Sequence, residues 1–403
     1  MTKLTKLSIK KFRNVVPTTL EFRPGINVLL GKNAAGKTTL LRLLSTAVGV
    51  GDSALQDDVF DVSYHASSTS FEFEHSITKT RVNAPALALD PERPVRENLS
   101  SLQRADSLVI EKNGSIALRA EILPNEVVLE RAGKRSRVDR QFSLPPLLST
   151  FLALIQDGKD SASEELAKAI VFEQIQCAGR MDESLERFNT LLTLDMTREE
   201  PGNRLDWNID SIPTSMYKLG PIPEEGTSAT FPLAFLDRAA RVLGYESASA
   251  RFDVERLRPD PSQQTLRLSN PRFFFKRPGE EVSHDLLSYG QKRLLAFFAH
   301  ADASRDVIIA DELVNGLHHE WISACLEEIG DRQAFLTSQN PLLLDFLRFD
   351  NADEVRRTFI LCERAGAQLV WRNPTEEEAE SFFLAYQTGI QRVSDILLTK
   401  GLW

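Results

Sequence analysis

The sequence predicts an α/β fold organised around a phosphate-binding loop, and three observations lead to this prediction. The apolar run Ile26–Leu30 has the composition of a buried strand, and the leucine-rich run at residues 40–44 has the spacing of a buried helix. Between them lies a glycine-framed segment, residues 31–39. Elsewhere, alternating strand patterns and amphipathic helix patterns occupy separate regions of the chain. Strand, loop and helix in this order are the context that a phosphate-binding loop requires.

The glycine-framed segment, G-K-N-A-A-G-K-T-T, matches the pattern G-x-x-x-x-G-K-[ST] in full. Its two glycines allow backbone conformations in which successive N–H groups turn toward a phosphate. The helix that begins near Lys37 adds the positive end of its dipole, the Lys37 ammonium adds a full charge, and the Thr38 hydroxyl is placed to bind Mg²⁺. We therefore expect the chain to bind a nucleoside triphosphate together with Mg²⁺. The expected binding residues of the loop are Gly31, Asn33, Gly36, Lys37, Thr38 and Thr39.

Composition sets limits on the rest of the molecule. A chain of 403 residues exceeds the usual size of one domain, so two packed lobes are expected. No apolar run approaches the roughly 18 residues of a membrane span, and the N-terminus lacks a secretory signal, so we expect a cytoplasmic protein without membrane contact. Three cysteines far apart, Cys177, Cys325 and Cys362, indicate neither disulfides nor zinc. The net charge of -9 disfavours a coat of basic residues for nucleic acid.

The N-terminal third has the pattern of antiparallel strands. Residues 4–12 alternate between apolar and polar side chains, and residues 19–22 form a second strand. From about residue 67 to residue 140 the chain has the pattern of an antiparallel meander, with a hairpin turn at Asn113-Gly114. The pattern predicts a β-rich lobe.

Helical patterns replace the strands after Pro145-Pro146. Apolar residues at helical spacing occur at residues 147–154, 163–176, 185–194 and 231–243. Strand patterns return at residues 251–254, 265–268 and 273–276. The predicted organisation is a core of residues 1–144 and 245–403, interrupted by a helical lobe of residues 145–244.

A second group of candidate binding and catalytic residues lies in the last third of the chain. Ser288 precedes a helix and places a hydroxyl at its positive end, an arrangement that suits an anion. The buried strand at residues 307–310 ends in two carboxylates, Asp311 and Glu312. Taken alone, the first feature is explained by an ordinary helix cap and the second by solvated acids at a strand end. Their order after the phosphate-binding loop gives them weight.

The order of these motifs resembles that of the ABC-type ATPases, in which a P-loop, an L-S-x-G-Q signature and an Asp-Glu strand end follow one another. Residues 311–318, D-E-L-V-N-G-L-H, are similar to the Walker B and D-loop of the RecF/SMC-like branch, which includes ATPases of bacterial defence and repair. Residues 9–14 resemble its I-x-x-F-R-N segment, and residues 334–341 align with its T-T-H-S-P switch segment. The resemblance implies an ABC-ATPase head with a P-loop mixed sheet, an antiparallel β-rich lobe and an inserted helical lobe.

The resemblance also implies catalytic roles. Lys37, Thr38 and Asp311 would hold the phosphates and Mg²⁺ in one subunit. Glu312 would orient or deprotonate the attacking water, and Gln339 would sense the γ-phosphate. Gln339 stands where the family has its switch histidine, and glutamine donates a hydrogen bond there without positive charge. Slow hydrolysis is therefore expected.

A second subunit is part of the implied mechanism, because ABC heads bind ATP between head-to-tail copies. Ser288, the Gly290 N–H and the neighbouring Gln291 would cap the γ-phosphate from that copy, which predicts a homodimer or higher homo-oligomer. Arg13 of the F-R-N segment would reach the nucleotide phosphates. Gln141, at the position of the Q-loop glutamine, would bridge to Mg²⁺ and water, although a polar residue at a strand end needs no such role.

Other departures from the family pattern are small. Ala34 replaces a frequent glycine in the P-loop, and Leu313 stands where proline is usual. We expect the change at Ala34 to be tolerated.

Three functional hypotheses remain from the sequence. The chain has no heptad pattern for an SMC arm and too few residues after the switch segment for a fused toprim nuclease, so we expect a bare head that switches a separate effector protein, with a nuclease as one candidate, in anti-phage defence. The alternatives are a RecF-like ATPase that binds DNA in repair and a slowly hydrolysing, nucleotide-gated scaffold. Residues 131–140 hold five basic residues that could meet nucleic-acid phosphates, although a solvated hairpin explains them more simply.

Overall fold

The computed structural model describes residues 1–83, 100–140, 145–158, 160–181, 193–199, 202–207, 213–219, 226–259, 264–338 and 340–402. Contacts divide the chain into two compact units. The first comprises Met1–Ile175, Phe349–Ile390 and Leu397–Trp403, and the second comprises Gln176–Arg348 and Gln391–Ile396. Within the described stretches, no helix combines the length and apolar character that crossing a membrane requires.

The secondary structure of the described residues is a mixture of strands and helices. The strands are β1 (Lys3–Phe12), β2 (Thr18–Glu21), β3 (Ile26–Leu30), β4 (Phe60–Ser67), β5 (Glu72–Asn83), β6 (Ser100–Lys112), β7 (Ser115–Ile122), β8 (Glu126–Arg131), β9 (Lys134–Asp139), β10 (Cys177–Met181), β11 (Thr193–Glu199), β12 (Gly202–Trp207), β13 (Ser228–Phe231), β14 (Ser247–Pro259), β15 (Gln264–Arg277), β16 (Glu280–Ser283), β17 (Val307–Ala310), β18 (Gln333–Thr337), β19 (Phe359–Ala365) and β20 (Gln368–Arg372). The α-helices are α1 (Lys37–Ala47), α2 (Pro146–Asp157), α3 (Ser161–Phe172), α4 (Ala234–Val242), α5 (Tyr289–Ala303), α6 (His319–Ile329), α7 (Leu342–Asp345), α8 (Ala352–Thr358), α9 (Glu376–Gln387) and α10 (Val393–Thr399).

An eight-stranded antiparallel sheet belongs to the first unit. Its order is β2-β1-β4-β5-β6-β7-β8-β9, so from β4 onward each strand pairs with the next along the chain. The turn at Asn113-Gly114 joins β6 to β7 with φ of 51° and 73°, as a tight hairpin requires. The predicted β-rich lobe is confirmed, and β4 is an additional strand within it.

A mixed sheet carries the predicted phosphate-binding loop in the first unit. Strand β3 pairs in parallel with β19, and β19 pairs antiparallel with β20. The side chains of β3 are buried at four of five positions, Asn27 among them, as expected of a strand inside a sheet. Helix α1 follows the loop and buries its leucines at positions 40, 41, 43 and 44. The predicted α/β fold with a P-loop mixed sheet is confirmed.

The second unit contains two groups of strands. Strands β10, β17 and β18 pair in parallel, and β17 and β18 are buried along their whole length. A second, antiparallel sheet has the order β12-β11-β15-β14-β13, with β16 paired to β15. Helix α5 packs against α4, α6 and β10. Parallel strands covered in this way present their carboxyl ends at one edge, where β17 delivers the two predicted carboxylates.

The helices predicted after Pro145 are partly present. Helices α2, α3 and α4 correspond to three of them, and α2 packs on β7, β8 and β9 within the first unit. The predicted helix at 185–194 falls largely on residues 182–192, outside the described residues, and its last two residues begin β11.

Strands also occur within the range 145–244, which the sequence assigned to a helical lobe. These are β10 to β13, and β11 is placed by its pairing with β15, a partner about seventy residues later in the chain. Local sequence carries no signal for a partner at that distance. The predicted boundaries at residues 144 and 244 do not coincide with those of the compact units, and as domain boundaries they stay a prediction.

A buried polar cluster ties together three strands of the eight-stranded sheet. The Nε2 atom of His75 lies 3.1 Å from Asp106 Oδ1, and its Nδ1 lies 3.3 Å from the Tyr64 hydroxyl. Arg104 donates two hydrogen bonds to the Asp106 carboxylate, at 2.8 and 2.7 Å. Burial alone would raise the pKa of Asp106, but the hydrogen bonds from His75 and Arg104 outweigh burial and hold that pKa below its usual value.

We predict that Asp106→Asn lowers the free energy of unfolding by about 3 kcal/mol at neutral pH, because it leaves buried donors facing a neutral amide. Since the pKa of Asp106 is depressed in the folded state, its contribution is present above the usual carboxyl pKa and is lost as the pH falls through the folded value. Denaturant unfolding at several pH values measures both effects. Asp139→Asn, at an exposed position of the same sheet, is the control and should change stability by less than about 0.5 kcal/mol. Equal effects of the two substitutions would contradict the assignment.

Candidate functional site

The predicted phosphate-binding loop leaves β3 through a position that only glycine can occupy. Gly31 has φ of 141°, and a Cβ atom added to it would lie 2.1 Å from the carbonyl oxygen of Cys362 on β19. No side chain fits at that distance, so the close approach of the two strands requires glycine. Cys362 is itself buried, and burial raises the pKa of its thiol to about 12. Its thiol is therefore a neutral packing group under the loop.

The other end of the loop rests on β20. Gly36 has φ of 85° and is the N-cap of α1, and a Cβ atom added to it would lie 2.9 Å from Leu369 Cδ1 and 3.2 Å from the Trp371 ring. The Trp371 indole donates a hydrogen bond from Nε1 to the carbonyl oxygen of Ala35 at 3.2 Å. Strands β19 and β20 thus form a floor that contacts both ends of the loop.

The Lys37 ammonium folds back over the loop. It donates hydrogen bonds from Nζ to the carbonyl oxygens of Gly31 at 2.6 Å and Lys32 at 3.1 Å. Charged phosphate oxygens are stronger acceptors than these neutral carbonyls, so the ammonium is available to a phosphate chain. The remaining predicted ligands of the loop are the exposed Asn33 at its tip and the half-buried Thr38 and Thr39 in the first turn of α1.

Ala34 occupies a conformation that favours glycine. Its φ is 64°, in the left-handed region where an alanine Cβ crowds the backbone. Glycine is frequent at this position in the ABC-type ATPases that the sequence resembles, and the left-handed backbone gives a physical reason. Ala34 and Gly36 both have positive φ while Ala35 between them does not, an alternation typical of backbone segments that bind anions through their N–H groups.

Arg13 lies at the end of β1 and is held by an acidic partner. Its guanidinium donates to both carboxylate oxygens of Asp58, with distances between 2.6 and 3.1 Å, and to the carbonyl oxygen of Ala54 at 3.1 Å. Arg13 therefore connects β1 to the segment that follows α1. Its expected contact with nucleotide phosphates stays a prediction.

The two predicted carboxylates follow β17 in the second unit and are held by β18. The Thr337 hydroxyl donates to Asp311 Oδ1 and accepts the N–H of Glu312 at 2.7 Å. The Asn315 amide donates to Glu312 Oε2 at 2.6 Å. Glu312 has φ of 49°, an unfavourable value for glutamate that these contacts sustain. One hydroxyl thus contacts both the carboxylate of Asp311 and the main chain of Glu312.

A buried arginine supports the same strand end. Arg293 on α5 is 1% exposed and donates to the carbonyl oxygens of Leu313 at 3.0 Å, Asp311 at 2.8 Å and Glu312 at 2.5 Å. These three carbonyl acceptors, with the Tyr289 hydroxyl as acceptor for Nη1 at 3.4 Å, offset the cost of burying a guanidinium. The helix that begins at Ser288 is therefore tied to the main chain that carries both carboxylates.

The signature segment forms a complete helix cap. The Ser288 hydroxyl accepts the N–H of Gln291 at 3.4 Å, and Gln291 Oε1 accepts the N–H of Ser288 at 2.8 Å. A Cβ atom added to Gly290 would lie 2.7 Å from the carbonyl oxygen of Gly316, so this glycine permits close packing on the loop after β17. Ser288 is exposed, and its hydroxyl retains a hydrogen to donate.

Two predicted site residues, Gln141 and Gln339, lie outside the described residues. Among the residues that the structure does describe, no group of three or more His, Cys, Asp or Glu side chains could hold a metal. Mg²⁺ accepts oxygen ligands and keeps several waters, so a hydroxyl such as that of Thr38 and a carboxylate such as that of Asp311 are donors of the right type.

Sequence reasoning missed three residues that support these groups: Thr337, Arg293 and Trp371. A signal was present for Arg293, because positions 290, 293, 294 and 297 share one helix face and the other three are small or apolar. Thr337 and Trp371 carried no such signal, because their partners lie on distant segments of the chain.

Two protein-family models match this chain, and the matched residues lie in both units. Residues 6–191 match a family model described as "AAA domain", and residues 182–345 match one described as "AAA domain, putative AbiEii toxin, Type IV TA system". With 12% identity and a TM-score of 0.37, 94% of this chain aligns with 99% of a chain in the crystal structure of an SMC head bound to the C-winged helix domain of ScpA.

Shorter segments are similar to curated proteins named DNA replication and repair protein RecF. The protein from Limosilactobacillus reuteri (strain DSM 20016) is 49% identical over 41 residues, which are 10% of this chain and 11% of the relative. The protein from Pediococcus pentosaceus is 34% identical over 84 residues, which are 20% of this chain and 22% of the relative. The chain thus spans a small part of the length of the relatives that it matches.

We predict that Ala34→Gly raises the free energy of unfolding by about 0.5–1 kcal/mol, because relief of the left-handed strain exceeds the added entropy of the unfolded chain. Denaturant unfolding of the two proteins measures the difference. Ala35→Gly is the matched control: this neighbour is buried without positive φ, so the same substitution there should destabilise by about 1 kcal/mol. Destabilisation at both positions would show that Ala34 carries no strain.

Proposed function

The chain belongs to the P-loop ATPases of the RecF and SMC type, and from this premise we propose that it binds ATP with Mg²⁺ and hydrolyses it to ADP and phosphate. The observation that carries the proposal is the loop between Gly31 and Lys37, whose backbone is shaped by positive φ values and by contacts from β19 and β20. A loop backbone with alternating positive φ, a helix N-terminus and one ammonium together suit a chain of phosphates.

The catalytic step is assigned to the carboxylates that follow β17. Glu312 would orient or deprotonate the attacking water, and its contact with Asn315 holds one carboxylate oxygen in a defined direction. Asp311 would bind Mg²⁺ together with Thr38. Lys37 and the metal would offset the charge that develops on the transferred phosphoryl group.

A second copy of the chain is part of the proposal. Ser288 and Gly290 lie at the N-terminus of α5, where a hydroxyl and the positive helix end favour an anion. We assign this anion to the γ-phosphate of ATP bound to another copy. ATP would then join the copies, and hydrolysis would release them.

The joined state would act on a separate effector protein. The family description that includes a putative AbiEii toxin and a type IV toxin–antitoxin system supports a role in bacterial defence. A cytoplasmic location and a nuclease as effector belong to the same proposal. Slow turnover, expected because Gln339 replaces the switch histidine, would suit a switch and is shared with the alternative of a nucleotide-gated scaffold.

Direct DNA binding in repair is the competing function, and it draws support from the RecF relatives. DNA binding would use the five basic residues at positions 131–140, in the hairpin of β8 and β9. Three of them form ion pairs within the protein. Arg131 pairs with Asp160 at 2.8 Å, and Arg135 lies 3.4 Å from Glu121. These carboxylates offset the positive charge that a phosphate backbone would need. We therefore rank this function second.

We predict that Glu312→Gln leaves ATP binding intact and slows hydrolysis by about a hundredfold, because the amide cannot accept a proton from water. Nucleotide titration and phosphate release measure the two steps. Lys37→Ala should instead abolish binding, since it removes the cation of the loop. Glu320→Gln, an exposed position in the first turn of α6, is the matched control and should behave as the native protein. Native hydrolysis by Glu312→Gln would remove this residue from the mechanism.

We predict that a mixture of Lys37→Ala and Ser288→Arg chains regains ATP hydrolysis, whereas each variant alone has almost none. Each variant keeps the half of the shared site that the other lacks, so a mixed dimer contains at most one complete site. The control mixes Lys37→Ala chains with chains that carry both substitutions, because no pair of those chains can assemble a site. A silent first mixture in which dimers form would rule out the shared site, and concentration-independent activity in a verified monomer would do the same.

A further inference from the structure

Trp371 on β20 holds the peptide group between Ala35 and Gly36 by a hydrogen bond to its carbonyl oxygen. This tryptophan lies on β20, is 1% exposed and donates its indole N–H to the Ala35 carbonyl oxygen at 3.2 Å. A buried indole N–H requires an acceptor, and this carbonyl is the one it has in the structure. The contact therefore does more than fill space under the loop.

Peptide planarity gives this hydrogen bond a consequence. In a trans peptide the C=O of one residue and the N–H of the next point in opposite directions. Because the Ala35 carbonyl faces Trp371, the Gly36 N–H points the opposite way, away from β20. The indole thus sets the direction of a backbone donor that it does not touch.

The Ala35–Gly36 peptide needs such an anchor more than its neighbours do. Gly36 has no Cβ, so its peptide can rotate at little steric cost. The next residue, Lys37, begins α1, and the Gly36 carbonyl accepts the N–H of Leu40 at 2.9 Å as part of that helix. On the other side, the Ala35 N–H donates to Lys32 at 3.3 Å within the loop turn. The peptide between them is fixed from outside the loop, by β20.

We propose that Trp371 is a positioning residue for phosphate binding: its indole N–H holds the Ala35–Gly36 peptide so that the Gly36 N–H is directed at the phosphates of a bound nucleotide. The inference rests on the proposed function of the loop as an ATP site. It assigns to Trp371 an effect on the phosphate chain that is separable from the packing of its ring against Gly36.

The test uses two variants that lack the indole N–H, one of which keeps the size of the ring. Trp371→Phe removes the donor and part of the ring, and 3-benzothienylalanine at position 371 keeps the size of tryptophan with sulfur in place of N–H. Trp321→Phe, on α6, is the matched control. Calorimetric titration with Mg·ADP, and separately with Mg·pyrophosphate, measures affinity, and thermal unfolding confirms that each variant is folded.

We expect both Trp371 variants to bind Mg·ADP about five- to tenfold more weakly, with an equal loss for Mg·pyrophosphate, as the loss of one oriented donor to a charged group would give. Trp321→Phe should bind as the native protein does. Folded Trp371 variants with native affinity would overturn the inference, and so would a loss confined to ADP. A native protein that binds neither probe would overturn the proposed function instead, so the two failures are distinguishable.

A second measurement leaves Trp371 unchanged and covers the case in which its variants fail to fold. In protein labelled with ¹⁵N-tryptophan, the Trp371 indole resonance is identified by elimination with Trp207→Phe, Trp321→Phe and Trp403→Phe. Mg·ADP should shift this resonance and slow its exchange with solvent, because a bound phosphate locks the peptide that the indole holds. An indole resonance that ADP leaves unmoved, with binding confirmed, would count against the proposal.

Discussion

The close contact between the phosphate-binding loop and the β19–β20 hairpin is the constraint on which the first unit depends. A backbone carbonyl of β19 occupies the space where any side chain at Gly31 would stand, and β20 closes the space beside Gly36. A loop that binds through N–H groups must hold its shape before the ligand arrives, because each unfixed peptide would lose entropy on binding. In this chain the shape is provided by residues more than three hundred positions away.

The acidic strand end of the second unit follows the same logic. Glu312 has an unfavourable φ, and the contacts that sustain it come from Thr337 on a neighbouring strand and Arg293 on a helix. Strain of this kind persists only where the surroundings outweigh it. In both units, the candidate phosphate-binding and catalytic groups lie on main chain that side chains from other elements hold in place.

The predictable parts of the molecule were those with a local pattern. Glycines at fixed offsets predicted the loop, alternation predicted the β-rich lobe, and an apolar run ending in Asp311-Glu312 predicted the acidic edge. Strands β11 and β12 were missed: they pair with each other and join the rest of their sheet through the pairing of β11 with β15, about seventy residues later in the chain. Trp371 was missed because its sequence neighbours describe an ordinary strand, and its role depends on the backbone above it.

By itself the sequence determined the phosphate-binding loop, the capped helix at Ser288 and the carboxylates after β17, because these depend on residues that are covalent neighbours and on the conformations those residues allow. Only the tertiary structure decided that Arg13 pairs with Asp58, that Thr337 bridges both acidic residues, and that an indole N–H supports the loop. These contacts join segments far apart in the chain. A hydrogen bond is only about 3 Å long, so it forms only after folding has brought donor and acceptor together.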